Sequence, residues 1–187
     1  MLRQPSAARP VYNGVTCEQA MPNSSTELSE SVRPIFAAAG WERGRRVAVP
    51  AAVPREHPAH AVLAEFGGLS VGNNRAGQEC ATEAAEFKYL EPDRSISVWA
   101  DLLRSRLIGV ADVSNGHAEL YVDDSGRLFC PSCIHDAFSF AGASFAEAME
   151  CLLLGKRSQP MLRPDQSSVV MWGEVFTSDD PRVYKYR

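Results

Sequence analysis

Leu107-Ile108-Gly109-Val110-Ala111-Asp112-Val113, Ser114-Asn115-Gly116, Ala118-Glu119-Leu120-Tyr121-Val122, Asp124-Ser125-Gly126 and Arg127-Leu128-Phe129 follow one another in the chain, and their reading decides the fold class. Three apolar or alternating runs are separated by two short connectors. Asn-Gly and Ser-Gly supply the positive φ angles that tight hairpin turns need, so the stretch 107–130 reads as a three-stranded antiparallel meander. Alternation in the middle strand sends Leu120 and Val122 to the core face. Glu119, Tyr121 and Asp123 then share the opposite face, with Asp124 at the adjoining turn.

C-terminal to the meander, Ser144 and Glu147 have capping-box spacing. Phe145, Ala148, Met149, Leu152 and Leu153 form one apolar stripe that stops at Gly155, which predicts a helix packed on the sheet. N-terminal to it, Ala85, Phe87 and Tyr89 alternate with Glu86 and Lys88 as in a half-buried strand, and Trp99, Leu102 and Leu103 predict a short helix. A further helix opens at Pro58, carries Val62, Leu63 and Phe66 on one side, and ends at Gly67-Gly68. The first helix is predicted over 25–39, capped by Ser24 with Glu27 and stopped by Gly40; Pro34 inside it argues for a kink or a start near Ser31. Residues 1–26 show no apolar period and read as a disordered, flexible leader. After Gly155, three prolines surround one apolar run at 169–176, expected to be an edge strand or hairpin in an otherwise loose extension. The expected organisation is a leader (1–26), one α+β domain (27–158) with an antiparallel sheet flanked by helices, and a partly ordered extension (159–187).

Composition narrows the function. The 187 residues are 45% apolar and 22% charged, with no apolar run approaching the roughly 20 residues of a membrane span, so a soluble chain without membrane partner is expected. Five cysteines, an odd number, and no apolar segment behind Arg3 argue for a reducing cytoplasm. The net charge of −4 is unevenly spread: residues 27–155 carry eleven basic against eighteen acidic side chains. Such a domain is unsuited to nucleic acid, whose binding depends on Lys and Arg at phosphates, and suited to a cationic partner.

Two motifs resemble zinc chemistry. His117-Ala118-Glu119 with Cys130-Pro131-Ser132-Cys133 has the residue types of a zinc deaminase, but the 13-position separation of His117 and Cys130 holds only turns and strands, and the proline lies inside the cysteine pair. Cys130, Cys133 and His135 form at most half of a structural zinc site, because no second pair exists and Cys17, Cys80 and Cys151 are single. A small zinc-binding domain or zinc enzyme using Cys130 and Cys133 is therefore the rival reading, against ordinary thiols at a strand end; no metal and no cofactor are expected. The Arg43-Gly44-Arg45-Arg46 cluster reads as a solvated loop.

Ala39-Gly40-Trp41-Glu42-Arg43-Gly44-Arg45, Leu63-Ala64-Glu65-Phe66-Gly67-Gly68-Leu69, Tyr121-Val122-Asp123-Asp124-Ser125-Gly126-Arg127-Leu128-Phe129 and the helix from Phe145 to Gly155 together resemble the third family of the SUKH superfamily of bacterial immunity proteins. The resemblance covers about 27–158. Gly40, Trp41, Gly67, Gly68 and Gly126 make physical sense in it as fold determinants: a helix stop, an aromatic tucked under the sheet, a helix-to-strand turn and a hairpin closure. It implies no catalytic residues and a role in neutralising a cognate protein toxin of nuclease or deaminase type. A non-toxin adaptor of the same fold is a further alternative. The leader, the Cys130–His135 stretch and the tail after 158 are not family features.

A candidate partner surface follows from charge. Asp112, Glu119, Asp123 and Asp124 lie between Arg106 and Arg127 with no Lys or Arg among them, and Tyr121 sits in their middle. Toxins acting on nucleic acid hold phosphate with cationic surfaces, so carboxylates that imitate phosphate, with Tyr121 as an anchor, would suit an inhibitor. A solvated sheet face is the plain alternative.

Overall fold

The computed structural model describes residues 26–186, so the leader up to Ser25 and the Ser24 cap lie outside the described residues. Helix α1 spans Arg33–Ala38 and α2 spans Pro58–Phe66. Short strands β1 (Ser70–Val71), β2 (Arg75–Ala76) and β3 (Ala81–Thr82) lead into β4 (Ala85–Leu90) and helix α3 (Arg94–Leu103). Strands β5 (Ile108–Val113), β6 (Ala118–Val122), β7 (Leu128–Pro131) and β8 (Phe138–Gly142) precede helix α4 (Phe145–Leu154), β9 (Gln159–Met161) and the hairpin of β10 (Ser168–Met171) with β11 (Glu174–Thr177).

The meander 107–130 is present as β5 to β7, extended on both sides into a seven-stranded sheet of order β1-β4-β5-β6-β7-β8-β9 with every neighbouring pair antiparallel. The fold is therefore α+β, as the turn chemistry and the resemblance both imply. Helix α4 is capped as its sequence predicts: the Glu147 amide donates to Ser144 Oγ at 3.3 Å, while the Glu147 carboxylate reaches back to the Ala143 amide at 2.9 Å. Helix α1 is shorter than the predicted 25–39. Its residues 30–32 form turns and Pro34 occupies the first helical turn, the one place in a helix where a missing N–H costs nothing.

One face of the sheet packs against α1, α2 and α4. Phe36, Phe66, Phe87 and Phe145 meet there, with Phe66 and Phe145 stacked at 4.7 Å between ring centres. The opposite face is also covered over much of its area. Tyr121, Phe129, Phe138 and Met161 lie beneath Ile96 and Trp99 of α3, and Trp99 stacks on Phe138 at 4.3 Å. Tyr184 stacks on Phe140 at 4.1 Å and Tyr186 meets Trp99 at 5.8 Å, so the chain after β11 closes the second layer. The extension beyond residue 158 thus supplies the edge strand β9, the expected hairpin over 169–176, and two aromatic side chains to the second core. Among the described residues, no helix is long and apolar enough to cross a membrane.

Candidate partner-binding surface

The four carboxylates singled out in the sequence are not brought together. Because β5, β6 and β7 run as a meander, Asp112 and Glu119 lie near the β5–β6 turn, whereas Asp123 and Asp124 lie at the β6–β7 turn, at the other end of a five-residue strand.

At the β6–β7 end the acids are turn architecture. Asp123 has no solvent exposure: Oδ1 accepts from the Ser125 amide (2.9 Å), the Ser125 hydroxyl (2.8 Å) and the Arg127 amide (2.9 Å), and Oδ2 accepts from Arg127 Nε (2.8 Å). Gly126 takes φ +88°, as does Gly40 at +89° after α1, the left-handed backbone that glycine reaches without strain. Asp124 accepts from the Arg106 amide (2.7 Å), Arg106 Nε (2.9 Å) and the Ser105 hydroxyl (3.0 Å). Partial burial raises its pKa, but the Arg106 and Ser105 donors outweigh that and hold it below the usual carboxylate value. Beside it His57 is buried, its Nδ1 accepting from the Ala59 amide at 3.1 Å as the N-cap of α2 and its Nε2 lying 3.7 Å from Asp124 Oδ1. Burial lowers the His57 pKa.

Tyr121 requires the same correction as Asp123. It shares a sheet face with Glu119, as alternation demands, yet its exposure is zero because α3 covers that part of the face. Its hydroxyl donates to Glu119 Oε2 at 2.8 Å, and burial, then that contact, raises its pKa. Alternation reports which face a side chain takes; whether the face is dry depends on a helix elsewhere in the chain. Neither Tyr121 nor Asp123 is available to a partner in this structure. Of the remaining positions expected to build the fold, Trp41 packs against α2, 6.4 Å from Phe66, with its indole N–H donating to Glu65 (3.1 Å), and Gly67 caps α2 while the Gly68 amide donates to Phe87 O at 2.7 Å.

At the β5–β6 end the carboxylates are partly exposed, with the Asp112 side chain at 23%. Asp112 and Glu119 are directly opposed in the strand register. Asp112 Oδ1 accepts from the Gly116 amide at 2.7 Å, fixing the turn, while its Oδ2 lies 3.7 Å from Lys88, which pairs with Glu86 at 2.5 Å. The Cys133 thiol senses this group: burial raises its pKa, and the charges of Glu119, Asp112 and Asp93 add to the rise. Three carboxylates, Glu119, Asp112 and Asp93, thus act on Cys133.

Cys130 and Cys133 stand in different surroundings. Cys130 is packed against the core under α4, where burial raises its pKa, while Cys133 is exposed. Glu119 stands on a strand and His117 in a turn, unlike the helix-borne pair of a zinc deaminase. Among the described residues, no three His, Cys, Asp or Glu side chains converge as a metal would need.

Next to the carboxylates lies a feature the sequence reading missed, a groove of about 910 Å³ between the β7–β8 loop and the β10–β11 hairpin. Ser132 and Ile134 line it from the same loop that carries Cys133, and Val170, Met171 and Trp172 line it from the hairpin. Its only signal in the sequence was the apolar run 169–176, which does not say what it faces.

A family model described as SUKH-3 immunity protein matches residues 28–155. No curated protein and no solved structure matches the chain.

Proposed function

Since this chain belongs to the SUKH-3 immunity protein family, we propose that it acts in the cytoplasm by stoichiometric occlusion of a cognate toxin that works on nucleic acid, a nuclease or deaminase, and that it catalyses no reaction itself. The Asp112 and Glu119 carboxylates meet the toxin's phosphate-binding cations, with Asp124 a more distant acidic neighbour. The observation that supports this reading is their register. Like charges directly opposite one another on neighbouring strands destabilise a sheet by up to about 1 kcal/mol, and Lys88 relieves only one of the two. A local arrangement that works against folding is where a functional constraint is sought.

The test keeps every hydrogen bond and removes only charge. Asp112→Asn still accepts from the Gly116 amide, and Glu119→Gln still accepts from the Tyr121 hydroxyl. The double variant should leave the melting temperature unchanged or slightly raised. It should associate with the toxin roughly tenfold more slowly at low ionic strength, with most of the salt dependence gone. Equal association rates for wild type and variant at low salt would remove these carboxylates from the interface.

A further inference from the structure

Of the four large apolar side chains that stand exposed among the described residues, three gather at one place: Ile134 at 58%, Val170 at 58% and Val175 at 63%. Val170 and Val175 are directly paired across the β10–β11 hairpin, whose other side buries Val169 and Phe176. Ile134 and Val170 both line the groove, facing it from the β7–β8 loop and from the hairpin. Exposed apolar residues scattered singly need no explanation, but a cross-strand valine pair beside a groove with a third apolar side chain across it marks a contact surface.

The charge of the lining says what fits. Glu83, Asp136 and Asp165 line the groove, and no Lys or Arg does. Arg163 holds Asp136 at 2.7 Å and Asp165 at 3.3 Å, Glu83 is engaged by the Ser114 hydroxyl, and Arg157 lies over the Trp172 ring at 5.5 Å, so three lining carboxylates face two neighbouring guanidinium groups that do not themselves line the groove. Ser114, His117 and Ala118 also line the groove, at the β5–β6 turn that joins the strands carrying Asp112 and Glu119. A partner segment carrying apolar side chains flanked by Lys or Arg matches both features.

We infer that the groove between the β7–β8 loop and the β10–β11 hairpin receives a basic, apolar segment of the toxin, and that the hairpin, which lies outside the family-matched residues 28–155, is the element that selects this chain's own toxin. The inference rests on the immunity reading. The selecting wall is then an addition to a shared core, which lets partner choice change without disturbing the sheet.

The experiment uses the full chain and, as probe, the catalytically inactivated cognate toxin domain. Ile134→Lys with Val170→Lys should weaken binding at least a hundredfold, and Ile134→Ser with Val170→Ser about tenfold, with melting temperatures unchanged because both side chains are more than half exposed. Wild-type affinity should fall as salt rises. If the wild-type chain binds the toxin and both double variants bind within twofold of it, the groove is not the docking site and the immunity reading stands. If the wild-type chain neither binds the toxin nor protects a cell expressing it, the immunity reading falls and the occupant named here falls with it.

Discussion

Asp123→Ala separates a fold role from a binding role for the acidic β6–β7 turn. The carboxylate is fully buried and accepts from two amides, one hydroxyl and the Arg127 guanidinium, whose side chain is 30% exposed. Removing one partner of a buried ion pair costs about 3–5 kcal/mol, and the lower end applies because Arg127 and the exposed Ser125 regain water. For a chain of this size about 3 kcal/mol corresponds to a fall in melting temperature of roughly 6–12 °C. Asp123→Asn, which keeps one acceptor, should fall between this variant and wild type. Asp124→Ala should cost about 1 kcal/mol or less, since its pair with Arg106 is half-exposed at both ends. Calorimetry with urea denaturation reads all three. A melting temperature for Asp123→Ala within 2 °C of wild type, with loss of toxin binding, would refute the turn assignment and return Asp123 to the interface.

Three further outcomes follow from other parts of the structure. Burial lowers the His57 pKa below its ordinary 6.5, so the unfolded chain takes up a proton first; stability is full above about pH 6.5 and declines as pH falls from there towards the folded pKa. His57→Asn, which retains an N-cap acceptor, should flatten that decline, while the loss below about pH 4, set by carboxylates with lowered pKa such as Asp93 and Asp136, should remain. Tyr184→Ala with Tyr186→Ala strips two rings from the second core and should cost roughly 2–4 kcal/mol by denaturant melt; a cost under 0.5 kcal/mol would mean that the C-terminal chain does not close that layer. A strong chelator should leave the melting temperature of reduced protein unchanged, and one equivalent of tightly bound zinc by elemental analysis would contradict the assignment of Cys130 and Cys133 as structural thiols.

The elements read well from sequence were those whose boundaries carry their own chemistry. Asn115-Gly116 and Ser125-Gly126 announced the meander, Ser144 with Glu147 announced α4, and Pro58 the start of α2. Helix α1 was overextended because Pro34 interrupts a helix and begins one equally well, and the sequence pattern does not say which. Strands β8 and β9 escaped notice for local reasons: β8 is a five-residue run ending in Gly142, and β9 contains Pro160, tolerated there because β9 is the sheet edge. The candidate surface was half legible. Glu119 was legible as an acid on the outer face and Asp112 as part of the acidic run, but the cover over Tyr121 comes from Ile96 and Trp99 of α3, which no local pattern places there. The groove needed the β7–β8 loop and the hairpin in one place, a long-range juxtaposition that no local pattern encodes.

Stoichiometric occlusion without turnover is the claim on which the rest depends, and titrating the purified toxin's activity with the full chain tests it most directly. Activity should fall linearly and reach zero at one chain per toxin, unchanged by longer preincubation. Progressive loss of toxin activity at far less than one equivalent would mean that the chain is an enzyme, and undiminished activity at several equivalents would mean that this toxin is not its partner.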